Sequence, residues 1–432
     1  MSSSFRHRAV GKLSGGESQL TLEVWSTTIQ KNQTNMNSSL AERLKEVNNN
    51  YRGVKIAIML LAASLMTMHT VFAQEKAEGD PDEPAVTLGQ ISSLQSKVLG
   101  KTVPLSIHLP ANYDSSQKTY PVLYMLGSDY RARFAMLAST LDYMGEGQIP
   151  EMILIGIDLP EGNRVLLPTW ENQDTTIPDG YINFFETELI PHVDKIYRTA
   201  PFRMLFGGSN SGFFTVYTLV NNPLLFNGYF ASSPSLSNIP SSLQQKIKSG
   251  PLQTLTENRF LHIIYSDNEG LTNHVSEFTR VLTDHKPEHL TYTVEELVNQ
   301  GHVPAMDFTQ FLLVLYTDFK PFNPREKLES LDKVTQHFDR LSERYGYEIQ
   351  TPISFLFDLG FHTIRSKNLI AAEEIFQYSL EVYPEGKESY LGMGLLRRAQ
   401  GQLDSAKVMF EKALTIDPDY SLAKRWLQRL EQ

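Results

Sequence analysis

The sequence predicts an α/β domain with a mainly parallel sheet, followed by an all-helical repeat segment. Two observations carry this. Over residues 87–321 short apolar runs alternate with longer stretches of helical spacing, the mark of parallel strands joined by crossover helices. From about Glu326 only helical spacing remains, and Leu359, Gly360, Ala372, Phe376 and Pro384 recur 34 residues later as Met393, Gly394, Ala406, Phe410 and Pro418.

The apolar runs place strands at 103–109, 122–126, 152–157, 204–206, 228–231, 261–265 and 290–294, and helices between them at 182–196, 212–221 and 273–283. The 34-residue period puts small residues where helices cross, an aromatic on the second helix and a proline at its close, which is the tetratricopeptide pattern. Residues 421–431 read as a capping helix, with Leu427 continuing the Leu359 and Met393 column. Two repeats are few for a free-standing array, so a helix at 328–345 and the preceding domain are expected to complete the packing.

Ahead of the α/β domain, Arg52 and Lys55 precede an apolar run at 56–66, and Val71-Phe72-Ala73 resembles a small-residue cleavage site. That run falls short of the ~20 residues that span a bilayer. Residues 52–73 therefore read as a signal peptide and the chain as exported, periplasmic or extracellular; an uncleaved segment would make it a membrane anchor. The polar stretch before it fits a true start as late as Met36. The expected organisation is an N-terminal extension and signal (1–73), an acidic, proline-containing linker (74–86), the α/β domain (87–325) and the helical repeats (326–432).

A formal net charge of −10 and no basic stripe argue against nucleic-acid partners. With no cysteine there is no disulfide, thiolate metal site or cysteine nucleophile. His285 and His289 are interrupted by Pro287 and lack the glutamate of a zinc helix, so no metal and no cofactor are expected.

One stretch carries chemistry. An esterase must hold a hydroxyl on a sharp strand-to-helix turn flanked by glycines, and Gly207-Gly208-Ser209-Asn210-Ser211-Gly212 spells such a turn, with Ser211 where G-x-S-x-G has its last glycine. A base is expected after it. Of the eleven histidines, His302 in "NQGHVPAMDF" is best placed, between a strand and a helix. An acid belongs at the end of the strand 261–265, where Asp267 is nearest and Glu269 is the alternative.

The run from Phe184 to Leu236, with Glu188-Leu-Ile-Pro191, Tyr197-Arg198-Thr199, the glycine turn and "FNGYFASSPS", resembles the bacterial putative-esterase family, which includes siderophore trilactone esterases, feruloyl esterases and esterase D. The likeness extends upstream to "LPANYDSSQKTYPVLYMLGS" and "PEMILIGIDLPEGNRVLLPT" and covers about residues 90–320. It implies an α/β-hydrolase fold, a Ser-acid-His triad and, as in some members, C-terminal tetratricopeptide repeats. On this sequence it puts the nucleophile at Ser209, one oxyanion donor at the amide of Asn210, and the other at Gly127-Ser128, where the family has Asp-Gly. It places Asp158 and Arg164 in the substrate cleft, with Val165 in place of an aspartate. Aligning Val303-Pro304 to the family's His-x-Ser/Thr-Val-Pro would instead put Gln300 at the histidine position.

The implied activity is hydrolysis of a carboxylic ester through an acyl-enzyme, siderophore-type esters among the candidates. The accumulated departures leave a second expectation: a hydrolase fold retained as a scaffold that acts through its repeats. Those repeats would bind an extended peptide, or brace the hydrolase domain or a homodimer.

Overall fold

The computed structural model describes residues 87–430 apart from 112, 115, 169–174 and 238–240. The expected signal peptide, linker and N-terminal extension lie outside the described residues. Residues Thr87–Gln432 form one compact unit.

Its centre is an eight-stranded sheet: β1 (Gln90–Ser96), β2 (Lys101–His108), β3 (Tyr120–Leu126), β4 (Ile153–Ile157), β5 (Thr199–Gly208), β6 (Gly228–Ser232), β7 (Arg259–Ser266) and β8 (Leu290–Leu297). The strand order is β1-β2-β4-β3-β5-β6-β7-β8. β2 is antiparallel to both β1 and β4, and every pairing from β4 through β8 is parallel. The central strands β3, β4 and β6 are buried along their whole length, as helices on both faces require, and this is why they read as unbroken apolar runs. β1 is absent from the expected strands for the opposite reason. Its QISSLQS is polar and mostly exposed at the sheet edge, so it carries no apolar run to detect.

Alternation along each strand divides the interior into two cores. Val122, Tyr124 and Leu126 of β3 face one core, with an aromatic group built from Phe184, Phe185, Phe214 and Phe226. Leu123 and Met125 face the other, which also holds Phe206, Phe230, Phe308, Phe311, Tyr345, Phe355 and Leu359. That second core runs from the sheet into the C-terminal helices, so residue 325 marks a change of secondary structure with no break in packing. The helix Leu331–Tyr345 lies at this join, with the Tyr345 ring 5.3 Å from that of Phe202 on β5.

Beyond it, helices begin at Ile353, Lys387 and Ser421, each 34 residues after the one before, and their partners begin at Leu369 and Leu403, again 34 apart. The small residues of the sequence pattern sit against the aromatic ones. Phe376 fills the space over Gly360 and Gly392, and Phe410 that over Gly394, so a Cβ at any of these glycines would overlap a ring. Gly392→Ala is therefore expected to destabilise the chain by about 1–3 kcal/mol, read as a lower Tm, whereas Gly180→Ala, in open space and at an ordinary backbone conformation, should not.

One buried histidine gives the fold an acid limit. His262 on β7 bonds through Nδ1 to Thr293 Oγ1 of β8 at 2.6 Å, while its Nε2 has no hydrogen-bond partner, the Glu295 carboxylate standing 4.0 Å away, and burial lowers its pKa from 6.5 to about 4. The unfolded chain takes up this proton near pH 6.5 and the folded chain only near 4. Stability is thus full above about pH 6.5 and falls as pH drops towards 4, by roughly 3 kcal/mol from this group. Urea unfolding at both pH values, with His262→Gln flattening the difference, checks it.

Candidate active site

Ser209 joins β5 to the helix Asn210–Asn221 with φ 57 and ψ −120. A non-glycine residue in that region is strained, and such a bend pushes the side chain out above the strand ends, where ligands bind in sheets of this type. The bend is pinned on both sides. Ser209 donates its amide to the Ser232 carbonyl at 2.8 Å, and its own carbonyl accepts from the Phe213 and Ser235 amides at 3.0 and 3.2 Å.

The serine at position 211 is accommodated for a local reason. What approaches Gly207 across the turn is the main-chain carbonyl of Ser211, so a Cβ at Gly207 would collide with it, while the Ser211 side chain tucks away at 2% exposure. The departure from the glycine pattern therefore leaves the turn intact.

His302 lies in the loop between β8 and the helix Asp307–Leu315. Its Nδ1 is 2.6 Å from Oε2 of Glu269, whose carboxylate is only 7% exposed while the imidazole is 56% exposed. The loop lies against the Ser209 turn, because Val303 packs on Gly208, the residue before Ser209. Ser209 Oγ is not hydrogen-bonded to His302; contacts of this kind commonly close only around substrate.

The carboxylate that meets His302 is that of Glu269, the alternative, and Asp267, the residue expected there first, turns elsewhere. β7 ends in a short turn, Asp267–Glu269, capped by Ser266. The Ser266 side chain accepts from the third residue's amide, and Glu269 reaches back to the Ser266 amide at 2.8 Å. This reciprocal box swings Glu269 inward to His302. Asp267 instead accepts the Asn299 amide at 2.8 Å and anchors the histidine loop. Ser266-Asp-Asn-Glu269 spells the box in the sequence, so a local signal for the acid exists. The Gln300 alternative also falls away: its amide donates to Ser266 Oγ at 2.9 Å and its side chain to the Val298 carbonyl.

The amides of Gly127 and Ser128, the expected oxyanion donors, are both taken by the Ile157 carbonyl, at 2.8 and 3.2 Å, because they prolong the β3–β4 ladder past the strand ends. The next amide, that of Asp129, has no acceptor among the described residues, and Asp129 Oδ1 takes the Leu159 amide at 3.1 Å. The Asn210 amide opens the helix Asn210–Asn221, and the first residue of a helix has no acceptor in a preceding turn.

Asp158 is corrected from a cleft residue to a buried anchor. At 6% exposure it pairs with Arg131, Nη2 to Oδ2 at 2.6 Å, and accepts Ser128 Oγ at 2.5 Å, fixing the 127–131 loop. Arg164 is exposed on the turn Asn163–Leu166, one residue from Asn163, whose Oδ1 accepts Asn210 Nδ2 at 3.1 Å. Val165 packs against the first core, which explains an apolar residue there.

Two residues of the site carry no mark in the sequence, Arg133 and Ser233. Arg133 pairs with buried Asp307 at 2.5 Å and reaches the Val303 carbonyl at 3.4 Å. Ser233 Oγ donates to Glu269 Oε1 at 2.8 Å. A cavity of about 380 Å³ lined by Met136, Tyr143, Met144 and Leu313 lies along the flanking helices and includes neither Ser209 nor His302.

Residues 96–269 match the family described as "Putative esterase". Among solved structures, an IroE-like serine hydrolase from Shewanella oneidensis superposes with a TM-score of 0.56 at 23% identity, covering 67% of this chain and 99% of that one. An uncharacterised protein from Capnocytophaga ochracea gives 0.53 at 15% identity, covering 79% and 99%. A curated relative, the cellulose synthase 1 operon protein C of Komagataeibacter xylinus, is 37% identical over 67 residues, which is 16% of this chain and only 5% of that protein. The structural likenesses show the fold, and the family match spans both Ser209 and Glu269. Over the stretch that holds most of its candidate site, the chain resembles the putative-esterase family, and it carries that stretch on an α/β-hydrolase sheet followed by an all-helical segment.

Proposed function

We propose that the chain is a serine carboxylic-ester hydrolase. The observation that carries this reading is Ser209 held at φ 57 and ψ −120 on a strand-to-helix bend, with His302 on the adjoining loop paired to Glu269 on the turn after β7. Glu269 on Nδ1 fixes the imidazole tautomer with Nε2 free to accept a proton. Ser209 Oγ attacks the ester carbonyl carbon as its proton passes to His302 Nε2, and the developing oxyanion is met by the Asn210 and Asp129 amides. Collapse expels the alcohol, which takes the proton back from His302. Water then attacks the acyl-enzyme by the same route, releasing the acid and restoring Ser209. Siderophore-type esters are the substrate class suggested by the family resemblance, with Arg164 at the rim to meet an anionic group. The expected N-terminal signal makes this an exported activity.

A fluorophosphonate probe is expected to label the full chain, with mass spectrometry placing the adduct on the peptide that contains Ser209. A chain that neither labels nor hydrolyses p-nitrophenyl acetate would support the second reading instead: a hydrolase fold serving as a scaffold through its tetratricopeptide-type helices. The absence of a Ser209–His302 bond is the observation on that side.

A further inference from the structure

We propose that Ser233 is a positioning residue for this reaction: its hydroxyl sets the Glu269 carboxylate and the His302 loop in a single register. The proposal rests on the esterase reading and deepens it.

Ser233 follows β6 directly and is fully buried. Its amide donates to the Ile264 carbonyl of β7 at 2.7 Å, which fixes its backbone to the strand that carries the acid. Its Oγ lies 2.8 Å from Glu269 Oε1 and 3.0 Å from the Val303 amide nitrogen. An N–H can only donate, so the Val303 amide gives its hydrogen to Oγ, and the single hydroxyl proton goes to Glu269. Two consequences follow from that forced direction. Glu269 Oε1 receives two hydrogen bonds, from Ser233 Oγ and the Ser266 amide, leaving Oε2 to His302. The residue next to His302 is tied to the same hydroxyl that orients its acid.

Backbone strain marks the same pair. Ser233 has φ 44 and Val303 φ 54, and for a β-branched residue the left-handed region is a genuine outlier. Such conformations persist only where surroundings over-determine them. Val303 is held at its amide by Ser233, at its carbonyl by Arg133 Nη1 at 3.4 Å, and at its side chain by Gly208. Ser233 thus connects three strand ends: the nucleophile turn through Val303, the acid through Glu269, and the base through the loop.

The test uses the full chain and two substitutions. Ser233→Ala removes the hydroxyl and keeps Cβ; Ser233→Gly removes it and also relieves φ 44, which keeps the fold intact. Both are expected to lower kcat roughly a hundredfold, the scale of an ångström-level misplacement, with KM changed by less than about twofold. Ser233→Gly should melt no lower than Ser233→Ala, since both lose the hydroxyl and only glycine relieves φ 44. The low-field ring N–H line that His302→Gln removes should shift upfield or broaden in both variants. An unchanged kcat in Ser233→Gly, or an unmoved His302 line, overturns the proposal. If the parent chain is inert and unlabelled the esterase reading fails, and the His302 line alone then decides: a shift upholds the positioning role and an unmoved line overturns it.

Discussion

Ser209→Ala is expected to abolish fluorophosphonate labelling and to lower ester turnover by at least about 10³-fold, while Ser209→Gly, equally inactive, should be the more stable protein. The two outcomes separate because the residue serves two ends. In the proposed reaction its hydroxyl is the nucleophile, so both substitutions remove the acyl-enzyme route. Its backbone at φ 57 and ψ −120 carries strain that any side chain with a Cβ feels and glycine does not. Ser209→Gly should thus gain about 1 kcal/mol over Ser209→Ala, less the extra entropy glycine gives the unfolded chain, and a Tm higher by a few degrees would show it. Equal melting of the two variants would mean that the bend is relaxed and the side chain not driven above the sheet.

Glu269→Gln is expected to lower kcat about 10⁴-fold, whereas Asp267→Asn should cost no more than about tenfold. Glutamine keeps the shape but can present its amide nitrogen to His302, stabilising the wrong tautomer and offering no charge to the imidazolium that forms in the transition state. Asparagine at 267 keeps an oxygen that can accept the Asn299 amide, so only the charge on that bond is lost, worth about 1 kcal/mol at the loop. Steady-state kinetics on p-nitrophenyl acetate reads both, and the reverse ranking would return the acid to Asp267. The contrast is sharp because the two carboxylates stand on the same three-residue turn.

How much of the molecule is legible in the sequence follows from how local each signal is. The buried parallel strands announce themselves because both faces are covered, and the glycine turn around Ser209 because sterics there act between near neighbours. The 34-residue repeat is visible because the same glycine-to-ring contact is made twice. The acid is half legible: the capping box at Ser266 and Glu269 is a local rule, and a preference for the carboxylate nearer the strand end passes over it. The amides of Gly127 and Ser128 mislead since their acceptor, Ile157, comes from a neighbouring strand. Asp158 misleads for the same kind of reason, its partner Arg131 lying across the loop. Ser233 and Arg133 join segments far apart in the chain, and no local pattern marks them.

The shared second core bears on how the chain is made. Synthesis delivers the sheet first and the helix Leu331–Tyr345 and its successors last, so Phe202, Phe230 and Phe308 wait uncovered until the final segment emerges. A nascent or truncated chain ending near residue 325 would present that face to solvent and aggregate through it. Poor solubility of a fragment ending near residue 325 is the practical outcome of a cover that arrives after the sheet.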